Sequence, residues 1–220
     1  MRMLTAIATR VVPVLGRLDV TADETAGLVP GTIVAANHSS LIDPGLVLAA
    51  LARRDVDRPV VLAAAGLWRI PVLGGRLRAE GHIAVRRGHR QAAESLDRAA
   101  EALALGRIVV LYPEGRLPGR RDSADREPEY FRTGVARLAL ATGAPVVPLG
   151  QAGARRITSG SRTKQLAGLC TAPLRRPRMH VHFGAPVRLS GSLAEATAQA
   201  HTAVTAAWRT AASLAHGNAR

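Results

Sequence analysis

The sequence predicts a single α/β domain: a mixed, largely parallel central sheet flanked by helices and preceded by an amphipathic N-terminal helix. Three observations carry this. Short apolar, β-branched runs alternate with stretches of helical period. The 220 residues are 47% hydrophobic and 21% charged, enough to build one core and too apolar for a disordered chain. No internal repeat interrupts the alternation.

At the N-terminus, Leu4, Ile7, Val11, Val14, Leu15 and Leu18 recur at steps of three and four, with Arg2, Arg10 and Arg17 between them. Residues 1–16 are therefore expected to form an amphipathic helix suited to a membrane interface, ahead of the main domain over 17–220. An ordinary helix packed on the domain and kinked by Pro13 is the other reading. The apolar stretch from Met3 to Thr9 is cut by Arg10, which argues against a secretory signal. The longest apolar run, Pro44 to Ala52, falls short of the ~20 residues a spanning helix needs.

Strands are expected at Thr32–Ala36, Pro59–Ala63, His82–Val85, Arg107–Tyr112, Pro145–Leu149 and Met179–Phe183. Helices are expected at Pro44–Leu51, 90–105 and 132–142, and along a C-terminal face of Leu193, Ala196, Ala200, Val204, Ala207 and Ala211. Two polar segments, Pro118–Pro128 and Arg155–Arg178, read as long loops of the kind that serve a function.

Charge is lopsided, with 30 basic residues against 16 acidic ones and a net +14. Lys164 is the only lysine, which leaves 29 arginines, side chains that grip phosphate bidentately. Phosphate-bearing or anionic-lipid partners follow, although an arginine- and alanine-rich chain can also reflect base composition. Aromatics at 3% are too sparse for a base-stacking platform, so no nucleic-acid partner is expected. Cys170, the lone cysteine, excludes an internal disulfide and a cysteine-built metal site.

In open α/β sheets, ligands settle beyond the carboxyl ends of the strands. Four segments stand there. Asn37-His38-Ser39-Ser40-Leu41-Ile42-Asp43 follows the first apolar run. His38 and Asp43 are five apart, so they meet only across a turn, where the carboxylate would fix the tautomer and leave the other ring nitrogen as a base. Asp43 before Pro44 equally fits a helix N-cap. Leu111 to Gly119 holds Glu114 in a tight Pro113–Gly115 turn. Gly81 to Gly88 offers Arg86 and Arg87 to a phosphate. Ala144 to Gly150 places Pro148 late in an apolar strand, which suggests an edge or a strand end.

In this order the four segments resemble the glycerolipid acyltransferase family, whose best known members are the 1-acylglycerol-3-phosphate acyltransferases. The family's Asn-His-x4-Asp block is intact at Asn37, His38 and Asp43, and its Gly-x-x-Phe-x-x-Arg block aligns with Gly81, Ala84 and Arg87. Its Phe-Pro-Glu-Gly-Thr-Arg block aligns with Tyr112, Pro113, Glu114 and Gly115, then departs at Arg116 and Leu117. Its Val-Pro block falls on Val147 and Pro148. The likeness spans roughly residues 17 to 190.

The resemblance implies transfer of a fatty acyl group from an acyl thioester, acyl-CoA or acyl carrier protein, to a lysophospholipid hydroxyl. His38 would be the base and Asp43 its partner, with Asn37, Ser39, Arg87, Glu114, Gly115, Arg116 and Pro148 around the substrates. Backbone N–H groups near Ser39 and Ser40 are candidate oxyanion donors. A thioester is activated enough to need no acyl-enzyme, and neither a metal nor a resident cofactor is expected. The setting would be the cytoplasmic face of a membrane, held peripherally or monotopically through an anionic surface. With Leu117 in place of the family's arginine, other lysolipids, including amino-acid or sugar lipids, stay open as acceptors. A thioester hydrolase and a non-catalytic anionic-surface binder on the same fold are the remaining readings.

Overall fold

The computed structural model describes residues 2–56, 58–86, 91–119 and 121–217, apart from the side chains of 91 and 92. In chain order the elements are α1 (Met3–Leu15), β1 (Arg17–Ala22), β2 (Ile33–Ala36), α2 (Asp43–Ala52), β3 (Val60–Ala64), α3 (Leu73–Ala79), β4 (Ile83–Val85), α4 (Gln91–Ala104), β5 (Val109–Leu111), α5 (Gly134–Thr142), β6 (Val146–Ala152), α6 (Arg162–Arg175), β7 (Arg178–Phe183) and α7 (Leu193–His216). Single 3-10 turns cover Ala65–Arg69 and Ala154–Arg156.

The seven strands form one sheet in the order β1-β7-β6-β2-β5-β3-β4. β6, β2, β5, β3 and β4 run parallel, while β7 pairs antiparallel with β6 and parallel with β1. The expected mixed, mostly parallel α/β domain is thus what the chain forms. Alternation along the strands feeds two cores. Val34 and Ala36 enter one with α1, α2 and α6 on that face. Ile33 and Ala35 enter the other, beside Ala99 of α4, Val135 of α5 and Val204 of α7. Ser192 and Glu195 start α7 with a reciprocal capping box.

Three expectations needed correction. The N-terminal apolar residues do not share one face. α1 buries Thr5, Ala8 and Val12 and leaves Met3, Ile7, Val11 and Val14 exposed, while Leu18 belongs to β1. Arg155–Arg178 is no loop, because Ser161 caps α6 by accepting the Lys164 N–H and the helix runs to Arg175. Pro148 lies neither at an edge nor at a strand end. It is third of seven residues in β6, an interior strand. Its carbonyl points toward β7 and accepts the Gly184 N–H, so its missing donor faces that side and the parallel ladder to β2 is undisturbed.

Candidate active site

β2 and β5 are parallel neighbours, with Ala35 beside Leu111. Their carboxyl ends therefore deliver Asn37-His38 and Tyr112-Pro113-Glu114 to one place. The chain turns after His38, and His38 Nδ1 comes within 3.0 Å of Asp43 Oδ2. The same oxygen accepts the N–H groups of Ser39 at 2.5 Å and Ser40 at 2.7 Å, and the Ser39 hydroxyl reaches Oδ1 at 3.4 Å. Asp43 is completely buried, and these converging donors satisfy its oxygens there. Asp43 is the first residue of α2 rather than its N-cap: its carboxylate reaches back to the turn, not forward into the helix. Both N–H groups considered as oxyanion donors are thereby taken.

The His38–Asp43 bond places the Nδ1 proton between the two groups and leaves Nε2 as the acceptor nitrogen. The Tyr112 ring packs on the imidazole, centroids 4.5 Å apart and planes tilted by 32°, which fixes the ring. The Tyr112 hydroxyl is buried without a hydrogen-bond partner among the described residues. Burial, and then the negative charge of Asp43, raise its pKa well above the ordinary phenol value.

Glu114 is buried and works as a clasp. One carboxylate oxygen accepts the His38 N–H at 2.6 Å, the other the Glu129 N–H at 2.9 Å. Burial pushes its pKa up to about 7, against the opposing pull of those two N–H groups. Gly115 makes the turn possible: its φ is +72°, and the Arg132 side chain lies where a Cβ would point. Asn37 ties strands together, donating to the Gln151 carbonyl at 3.1 Å and accepting the Gln151 N–H at 2.7 Å. Arg116 is exposed and pairs with Glu129 at 3.4 Å. Pro148 pairs with Ala35 beneath the site. Arg87 lies outside the described residues, just beyond Arg86 at the end of β4.

Two further supports carry no local mark in the chain. Arg155, buried in the turn after β6, donates to the Ser39 carbonyl at 2.8 Å and to the Asp122 carbonyl. Ser40 is bonded to Thr158 through their hydroxyls. Both lie in the stretch read as a loop, so nothing local marked them. The other polar segment does drape over the site. Residues 118–131 carry no helix or strand among those described. They are fastened by Glu114 to the Glu129 N–H, by Arg209 to Glu127 at 2.6 Å and by His216 to Asp125 at 3.2 Å. Beneath them, the cavity against Asn37, His38, Ser39 and Glu114 measures about 10 Å³, room for a single water. Among the described residues, no group of three or more metal-ligating side chains gathers.

A strand-end histidine held through Nδ1 by a buried aspartate is an arrangement that suits a general base. A family model described as Acyltransferase matches residues 17–151, and the chain belongs to that family. No curated protein sequence matches it. Among solved structures it resembles the crystal structure of the 1-acyl-sn-glycerophosphate (LPA) acyltransferase PlsC from Thermotoga maritima. The TM-score is 0.73 at 19% identity, over 99% of this chain and 80% of that one. The two share a fold.

Proposed function

We propose that this acyltransferase moves a fatty acyl group from an acyl thioester, acyl-CoA or acyl carrier protein, to the free hydroxyl of a lysophospholipid, with 1-acylglycerol-3-phosphate the favoured acceptor. The observation that carries the reading is the His38–Asp43 pair, its carboxylate wholly buried and its imidazole bonded through Nδ1 at the carboxyl end of β2. His38 Nε2 takes the acceptor's hydroxyl proton as the oxygen attacks the thioester carbonyl carbon. The tetrahedral intermediate then collapses, the carbon–sulfur bond breaks, and the imidazolium returns the proton to the departing thiolate. Asp43 stabilises the imidazolium between the two steps. The sole cysteine, Cys170, lies on α6 and has no part in this.

Arg87 is assigned to the acceptor phosphate, with Arg116 as a second contact in place of the arginine replaced by Leu117. The segment around 126–129, which lines the cavity over His38, moves aside in this reading as substrates enter. In this reading the protein works at the cytoplasmic face of a membrane, held by α1, whose Met3, Ile7, Val11 and Val14 face outward. Among the described residues no helix is long and apolar enough to cross a bilayer.

The test is incubation with an acyl thioester and a panel of lysolipids, with products resolved by chromatography. Diacylated phosphatidate from lysophosphatidate is expected. Thioester loss with no acylated lipid would make the protein a hydrolase. No loss under any condition would leave a binding protein on an acyltransferase fold.

A further inference from the structure

α6 has an outward face that nothing in the fold uses. Its inner side packs through Ala172 and Leu169. Gly168 lets the helix approach the Ile157 carbonyl so closely that a Cβ would sit 2.1 Å from that oxygen. Held this way, α6 turns Leu166 and Leu174 to solvent at 62% and 88% exposure, with the exposed Cys170 between them at the i+4 position. Arg162 flanks this stripe on one side and Lys164 on the other, while the Arg175 guanidinium is held by the Arg156 and Gly168 carbonyls. Between Glu129 and Glu195 the sequence has no acidic residue at all. α6 also touches α1, on the same face of the sheet, and Arg176 after α6 donates to the Pro13 carbonyl of α1 at 3.5 Å. Residues 1–18 lack acidic side chains too.

We infer that α6 is a second membrane-contacting element, laying Leu166, Cys170 and Leu174 into the headgroup boundary of an anionic bilayer while its flanking cations meet the lipid phosphates. Apolar residues that the fold leaves uncovered, ringed by charge of one sign, suit a surface that is oily within and anionic outside. A protein partner would need an acidic apolar groove, whereas the bilayer also explains why α1 beside it is apolar outward and free of acids. The inference shares only the bilayer with the proposed function and does not depend on acyl transfer.

Cys170 makes the test direct, because the lone cysteine accepts an environment-sensitive NBD label on the full chain without any substitution. Vesicles of phosphatidylcholine with and without phosphatidylglycerol are added, and emission is read alongside co-sedimentation. On phosphatidylglycerol vesicles the label should shift to the blue and brighten, and the change should fade as salt rises. The unlabelled double variant Leu166→Ala/Leu174→Ala, which alters exposed side chains only, should partition roughly tenfold less. Co-sedimentation with unchanged emission would overturn the inference and leave contact to α1 alone. So would absence of binding, or equal binding to neutral vesicles. A blue shift that grows with protein concentration without lipid would assign the face to a second copy of the chain and overturn it as well. Since the readout is emission and not turnover, a negative result leaves acyl transfer untouched.

Discussion

Among the described residues three histidine–aspartate pairs form, His38–Asp43, His182–Asp23 and His216–Asp125, and the first two make the sharpest contrast. His38 meets Asp43 at 3.0 Å, and Asp43 is fully buried and held by two further backbone donors. His182 meets Asp23 at 3.3 Å through Nε2, but the Asp23 side chain is half exposed. The difference lies in the second nitrogen. His182 Nδ1 bonds the Thr21 hydroxyl at 2.9 Å, and Thr21 also bonds His180 at 2.8 Å, so both ring nitrogens of His182 are engaged. Among the described residues the His38 ring is bonded through Nδ1 alone. The places differ too: β2 ends in the crevice of the parallel strands, whereas β1 is the sheet edge, three strands from β2. A carboxylate beside an imidazole makes a base only when the other nitrogen is left to work.

Substitutions can sharpen this contrast, beginning with the largest expected effect. His38→Ala should lower turnover on the order of 100- to 10,000-fold with circular dichroism and melting temperature near wild type, because a strand-end imidazole carries chemistry more than packing. A folded variant with near-normal rate would break the comparison at its stronger member. Arg87→Ala should raise the acceptor's Michaelis constant roughly 10- to 150-fold and spare that of the thioester, as expected for a charge-assisted phosphate contact. Arg87→Lys should recover part of the loss. Saturation curves in each substrate decide this, and a change in the donor curve alone would move Arg87 to the thioester's half of the site.

Glu114 gives the next effect, in stability. Its folded-state pKa, about 7, lies above the ordinary 4.5, so its charge opposes folding once ionised. The group favours the folded state fully below pH 4.5, and that advantage is withdrawn as pH rises through about 7. The shift corresponds to roughly 3 kcal/mol. Urea unfolding should therefore show wild type losing more stability between pH 5 and 8 than Glu114→Gln, which stays neutral throughout. Parallel pH curves would sever Glu114 from the clasp. The smallest effects belong to the second pair: His182→Ala should cost about 1–2 kcal/mol in urea and leave turnover close to wild type. A large rate loss there would mean the two pairs are not functionally distinct.

Fold and site were not equally legible. Strand runs such as Ile33–Ala36 and Val146–Leu149 announce themselves because both their faces are buried and their residues are uniformly apolar. The motif segments were readable for a related reason, since Pro113, Gly115 and Pro44 constrain the backbone wherever they stand. β1 escaped because Leu18 continues the helical spacing of α1, although Leu18, Val20 and Ala22 alternate inward as a strand should. α6 escaped because its buried side is only Ala172, with Gly168 and Leu169 partly covered, while Gly168 and Pro173 stand inside it as helix-breaking residues. Tyr112 was visible as a motif position but not as the ring packed on His38, since β2 and β5 must first lie side by side. Arg155 and Thr158 are 116 or more residues from the turn they support, a distance over which sequence pattern carries no contact information.

In the proposed reaction His38, and not merely a histidine–aspartate pair, drives attack of a lipid hydroxyl on a thioester. Thiol release followed with and without lysophosphatidate, in wild type, His38→Ala and His182→Ala, tests it most directly. Release should depend on the lysolipid in wild type and in His182→Ala, and fall toward the uncatalysed rate in His38→Ala. Acceptor-dependent release that persists in folded His38→Ala would contradict the account.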